Sequence, residues 1–98
     1  MWWHEAPEEK PRPYLVLSRD EVIPAVHRVL AVPATRTIRG IPSEVRLDEA
    51  DGMPAECVLT LDNLRAVRQS YLVERICVLG PHRMREVCDA LAFATACS

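Results

Sequence analysis

The sequence predicts a mainly β domain with one C-terminal helix: a small antiparallel barrel with the helix packed on it. Three observations carry that expectation. Short apolar runs of strand length recur along the chain between Pro, Gly, Asp and Asn breakers. Only one stretch, after Gly80-Pro81, repeats its apolar residues at helical spacing. Strands come first and the helix last, the order of an antiparallel sheet with its helix segregated to one side. At 98 residues the chain has the length of one domain, residues 1–98. Because 49% of it is apolar but only 5% aromatic, the core is expected to be tight and aliphatic, with surplus apolar surface for a C2 homodimer.

Taken in order, Trp2 and Trp3 begin a short first strand, one ring facing the core and the other a partner subunit or solvent. Residues 4–11 hold three glutamates and two prolines and read as a polar loop. Residues 14–17, Tyr-Leu-Val-Leu, are a strand, with Arg12-Pro13 at its mouth. Proline fixes φ and lacks an N–H, so it stiffens a strand entrance and aims Arg12. Residues 18–26 are expected to be irregular around Pro24. Residues 28–34 form a strand, with Pro33 marking a bulge or an edge. A connection with Gly40 and Pro42 leads to residues 43–47, where Val45 and Leu47 alternate with Glu44 and Arg46 as in a half-buried strand. A polar loop with an Asp-Gly turn precedes a strand at 57–61, which Asp62-Asn63 interrupts. A brief strand at 64–67, a single helical turn at 69–73 and a last strand at 75–79 follow. Gly80 and Pro81 then open the helix, whose stripe is Met84, Val87, Cys88, Leu91 and Thr95, with His82, Arg83, Arg85, Glu86 and Asp89 opposite.

The start of the chain has neither the basic nor the apolar region of a secretory leader, and no apolar run reaches the roughly 20 residues of a membrane span, so the expected compartment is the cytoplasm. Cys57, Cys77, Cys88 and Cys97 contain no C-x-x-C pair and read as buried reduced thiols, with no metal site or disulfide framework. A net charge of −2 does not advertise a polyanion partner. The kind of base says more: Lys10 is the only lysine, and every other cation is arginine, whose planar fork grips phosphate or carboxylate bidentately. A GC-rich genome would produce the same bias.

Four stretches resemble the MazF/PemK family of toxins from bacterial toxin–antitoxin pairs. They are RPYLVLSRD, VLAVPATRTIRGIPSEVRL, CVLTLDNLRAV and LGPHRMREVCDALAFATAC, together spanning roughly residues 11–97. The resemblance implies an SH3-like barrel of the MazF/PemK/CcdB type with a C-terminal helix, assembled as a homodimer. It implies a metal-independent, sequence-selective endoribonuclease without a cofactor, cutting single-stranded RNA to 2′,3′-cyclic phosphate and 5′-hydroxyl ends. A cognate antitoxin would lay an acidic segment over the same groove. The family's catalytic Arg and Thr fall on Arg12 and Thr35, and positions near its RNA path fall on Asn63 and Arg65. A catalytic Glu proposed for the loop of some relatives would be Glu8 or Glu9. The first strand and this loop are shorter than is usual in the family, and the loop lacks its glycines.

The residues fit that chemistry. A permanently charged guanidinium at Arg12 suits the pentavalent phosphate, and a stiff β-branched hydroxyl at Thr35 can donate to it. Arg36 and Arg39, in the loop after Thr35, are expected phosphate contacts or solvated turn residues, and Asn63 reads a base edge or makes a turn. Of the histidines, His82 is expected on the surface and His27 in a structural role, while His4 flanks the loop near Arg12 and is open to either role. Two other classes share the architecture: a non-catalytic toxin that poisons DNA gyrase, and an SH3-type peptide-binding module.

Overall fold

The structure is a computed structural model that describes residues 1–17 and 27–96. The expected irregular segment 18–26 and Cys97 lie outside the described residues. Strands β1 (Trp2–His4), β2 (Arg12–Val16), β3 (Arg28–Thr35), β4 (Glu44–Leu47), β5 (Cys57–Thr60), β6 (Arg65–Arg68) and β7 (Leu72–Arg75) precede one helix, α1 (Pro81–Thr95). Every described pairing is antiparallel, in the order β4-β5-β3-β2-β1-β7, with β6 also on β3. The fold is the expected antiparallel β architecture with a C-terminal helix, and among the described residues no ladder joins β4 to β7, so the sheet is left open there.

Strand β3 is the hub. One edge pairs with β2, and the other pairs first with β6, through Ala31↔Arg65, and then with β5, from Ala34↔Leu59. Pro33 is therefore neither at an edge nor at a bulge, as its type predicts, but inside the most heavily paired strand. It is tolerated because Val32 and Pro33 lie between the β6 and β5 ladders, where β3 changes partners.

Side-chain alternation gives β2 and β3 two buried faces. Leu15, Val32 and Ala34 point into the main core with Val45, Leu47, Met53, Leu59, Leu61, Leu79, Val87 and Ala90. Tyr14, Val29, Ala31 and Val67 form a smaller cluster on the opposite face. Helix α1 lies over the 3₁₀ turn Leu61–Asn63 and β4 and supplies Val87 and Ala90. Two residues of the predicted stripe, Cys88 and Thr95, are exposed. A helix turns about 100° per residue, so a face centred on Val87 and Ala90 carries Cys88 outward. Cys57 is buried and Cys77 half-buried, and burial pushes both thiols above their usual range; Cys88 departs from the expected burial.

Arg83, predicted on the solvent side, is half-buried instead: its Nε donates to Asp51 Oδ1 and its Nη1 to Glu86 Oε2, each at 3.0 Å. Asp51 is itself fixed in a capping box with Asp48 around the 3₁₀ turn Glu49–Asp51, so the helix is clamped to that turn. Gly52 ends the turn at φ +95°, and an added Cβ would stand 2.8 Å from Cys77 Cβ, so only glycine fits.

The last strand is Leu72–Arg75, not 75–79. Its partner β1 has three residues, and its register with β7 shifts between Trp3↔Glu74 and His4↔Leu72. The Ile76 N–H still donates to the Met1 carbonyl (2.9 Å), and the Met1 amino group donates to the Cys77 carbonyl (2.9 Å), but these two bonds do not extend the β7 strand past Arg75. Of the apolar residues 76–79, Leu79 is buried in the core and Ile76 and Cys77 pack against it, while Val78 is exposed. Smaller shifts occur elsewhere: β2 begins at Arg12, so the Arg-Pro pair is in the strand, β6 begins at Arg65, and the expected helical turn is the 3₁₀ turn Gln69–Tyr71.

Leu59 is fully buried where β3, β4 and β5 meet. Leu59→Ala is expected to cost about 2–5 kcal/mol of folding stability, read by urea denaturation. An exposed control, Val78→Ala, is expected to stay within about 0.5 kcal/mol.

Candidate active site

The pairing of β2 with β3 runs Tyr14↔Pro33, Leu15↔Val32, Val16↔Ala31. Continuing that register by two residues sets Arg12, the first residue of β2, opposite Thr35, the last residue of β3. On the other edge of β2, Arg12 pairs with His4. Because side chains alternate, His4, Arg12, Tyr14, Ala31, Pro33, Thr35 and Arg65 share one face of the sheet. Thr35 is half-buried, and its Oγ1 accepts from the Thr37 N–H (3.3 Å), which leaves the hydroxyl proton to donate elsewhere.

Arg12 is exposed and stands between two open cavities. One, of about 550 Å³, is lined by Glu9, Lys10, Arg12, Tyr14, Pro33, Asn63, Leu64 and Arg65. The other, of about 520 Å³, brings Arg12 together with Thr35, Arg36 and Trp3, and is floored by the 53–57 segment. The structure thus gathers Arg12 with Thr35 and Arg36 on one side, and with Asn63 and Arg65 on the other. Arg39 joins neither group: its backbone N–H, with that of Gly40, donates to the Glu44 carboxylate at 3.0 and 2.9 Å and shapes the turn before β4.

Asn63 is exposed at the end of its 3₁₀ turn, and that turn is tethered twice to Ser43. The Leu61 N–H donates to the Ser43 carbonyl (3.0 Å), and the buried Ser43 hydroxyl donates to the Asp62 carboxylate. Arg65 is more heavily engaged. Its Nη2 donates both to Glu9 Oε1 (2.5 Å) and to the hydroxyl of buried Tyr14, and its guanidinium stands 5.4 Å from the Tyr14 ring centroid. The bond from Arg65 holds the Glu9 carboxyl below its usual range, and the bond to Glu9 raises Arg65 further. The ion-pair partner of Glu9 is thus Arg65.

The histidines separate clearly. His82 is exposed and lies 3.2 Å from Glu86, and His27 is exposed and accepts the Gln69 N–H on its backbone carbonyl, so neither is near Arg12. His4 is buried against the rings of Tyr14 (4.5 Å between centroids) and Tyr71 (5.9 Å, edge-on) and lines neither cavity. Both tryptophans are half-buried: Trp2 lies under the Arg75 guanidinium, and Trp3 donates to Glu5 (3.0 Å). Among the described residues no group of three or more His, Cys, Asp or Glu side chains converges as a metal site would, and no helix is long and apolar enough to cross a membrane.

A family model described as PemK-like, MazF-like toxin of type II toxin–antitoxin systems matches residues 2–94. The chain belongs to this family. It is 43% identical over 99 residues to the probable endoribonuclease MazF5 of Mycobacterium tuberculosis, covering 100% of this chain and 91% of that one. Among solved structures it is similar to the Mycobacterium tuberculosis toxin MazF-mt6, with a TM-score of 0.87 at 29% identity over 98% and 97% of the two chains. It is also similar to a MazE–MazF complex from Deinococcus radiodurans, with a TM-score of 0.80 at 26% identity over 97% and 90%.

Two residues of this MazF-like toxin's site went unnoticed in the sequence. Lys10 lines both cavities beside Arg12, and its one visible signal is its place two residues earlier. Tyr14 holds Arg65 from 51 positions away, and nothing local announces that pairing.

His4 gives the site a pH signature. Burial pushes its pKa below 6.5, with Glu9 opposing and Arg65 reinforcing the shift. A lowered folded value means that below about pH 6.5 the unfolded chain binds the proton first, so stability present above that pH is lost as pH falls toward the folded value. Urea midpoints measured from pH 7.5 to 5 are expected to fall in the wild type, and His4→Gln is expected to flatten that fall.

Proposed function

We propose that this MazF-like toxin is a metal-independent, sequence-selective endoribonuclease of single-stranded RNA. The observation that carries the reading is the β2–β3 register, which sets Arg12 opposite Thr35 at the wall between two cation-lined cavities. The likeness over nearly the whole chain to a relative named probable endoribonuclease supports it.

In this reading the 2′-oxygen attacks the adjacent phosphorus, a P–O bond forms, and the bond to the 5′-oxygen breaks. The 2′-hydroxyl gives up one proton and the departing 5′-oxygen gains one, leaving a 2′,3′-cyclic phosphate and a 5′-hydroxyl. Arg12 stabilises the charge building on the phosphate oxygens with a bidentate guanidinium, and Thr35 donates its free proton to the same group. Arg36 contacts a phosphate beyond Thr35, and Asn63 and Arg65 receive the strand on the other side of Arg12, so that the chain crosses β2 at the scissile bond. The toxin works in the cytoplasm as a homodimer, and a cognate antitoxin inhibits it by covering this cationic groove with an acidic segment.

The test is long single-stranded RNA with purified toxin in EDTA, mapping every new 5′ end. Cuts at one short sequence are expected, absent in Arg12→Ala and slowed about a hundred- to thousandfold in Thr35→Ala, with both variants folded by circular dichroism. A metal requirement would overturn the mechanism. Whole RNA accompanied by trapped gyrase–DNA complexes would move the toxin to the gyrase-poisoning class.

A further inference from the structure

The strongest unexplained feature of the groove is that one of its cations is already occupied. Arg65 has the supports of a built anion site. Its guanidinium donates to the hydroxyl of Tyr14, which is 2% exposed, lies over that ring, and projects from a strand locked to β3. The anion it holds is the protein's own, Glu9, from the loop between β1 and β2. The Glu9 side chain is 44% exposed and hangs from a turn closed by its own N–H donating to the Ala6 carbonyl (3.3 Å). The carboxylate can therefore leave by rotating its side chain, without unfolding the loop.

We propose that Arg65 is a phosphate subsite which the toxin keeps filled with the Glu9 carboxylate, and that RNA binds there by exchanging a backbone phosphate for that carboxylate. The proposal rests on the ribonuclease reading above and adds to it an internal competitor. Carboxylate and phosphodiester present the same paired oxygens to a guanidinium, so each fits where the other sits. The cavity shared by Lys10, Arg12 and Asn63 attracts a polyanion, yet Glu9 would repel the incoming phosphate unless it moved aside. An exposed ion pair is weak enough to be broken by that exchange. The depressed Glu9 carboxyl agrees with an occupied clasp in the free protein.

The probe is a uniformly 2′-O-methylated single-stranded RNA, which lacks the attacking hydroxyl and separates binding from cutting. Fluorescence anisotropy on wild type, Glu9→Gln, Arg65→Ala and the double variant reads the affinity. Glu9→Gln is expected to bind about two- to fivefold tighter, with the gain shrinking as salt rises. In the Arg65→Ala background the same substitution is expected to give at most half that gain. An equal gain in both backgrounds overturns the proposal, because Glu9 would then act by general repulsion; so does unchanged or weaker binding by Glu9→Gln. A second readout needs no RNA: the NMR titration of the Glu9 carboxyl is expected below the ordinary range in wild type and within it in Arg65→Ala. An ordinary value in wild type overturns the clasp and leaves the ribonuclease reading intact. A depressed value with no RNA binding by any variant overturns the exchange and the ribonuclease reading together.

Discussion

The pairing of β2 with β3 is the constraint on which the rest depends. That register simultaneously sends Leu15, Val32 and Ala34 into the main core and turns Tyr14, Ala31 and Pro33 to the opposite face. Because side chains alternate with a period of two, a slip of one residue would exchange the two packed faces of one strand, setting side chains shaped for the smaller cluster against the main core and the reverse. Packing on both faces thus fixes the register, and the register, continued by two residues, sets Arg12 opposite Thr35. The alignment of two candidate catalytic side chains is held by the burial of residues that touch no substrate.

The charge of the molecule has to be read locally. A net −2 hides a concentration of Lys10, Arg12, Arg36 and Arg65 around two adjoining cavities, while acidic residues are spent elsewhere. Asp48, Asp51 and Glu86 surround Arg83 and clamp the helix, and Glu44 shapes the turn that carries Arg39 away from the groove. The exceptions are Glu9, which lines the cavity with Arg65, and Glu56, which lines the cavity with Thr35 and Arg36. Field lines from a short-range cluster reach an approaching phosphate within about a Debye length, so overall acidity is a poor guide to what such a groove attracts.

How much of this was legible in the sequence follows from the range of each interaction. The helix was legible because its signals are local: Gly80, Pro81 and a repeat of three and four. So were the 57–60 strand and the break at Asp62-Asn63. The strand expected at 75–79 failed because apolar composition does not by itself make a strand: Leu79 is buried and Ile76 and Cys77 pack against the core without a β ladder, while Val78 is exposed. Cys88 failed because a stripe read at three-and-four spacing is wider than the face the core covers. Pro33 failed because its tolerance depends on where two other ladders stop, which no local rule encodes. In the site, the family resemblance pointed to Arg12, Thr35, Asn63 and Arg65. The Arg65 contacts with Glu9 and Tyr14 span 56 and 51 positions and exist only once the sheet has formed.

The site divides its residues between two kinds of support. Arg12 and Thr35 stand on strand ends tied into the ladder, and Arg65 rises from a strand locked to the same hub. Glu9 and Lys10 stand on the loop, whose hydrogen bonds to the Tyr71 and Ala6 carbonyls fix its path but not its long side chains. Stabilising a pentavalent phosphate requires donors that do not reorganise as charge develops, which strand-borne groups provide. Admitting and aligning a flexible RNA strand requires groups that can give way, and exposed side chains on a short loop do so at little cost. Placing Glu9 on the loop and Arg12 and Arg65 on the sheet is therefore the arrangement in which the proposed competitor can yield while the candidate catalytic geometry stays fixed.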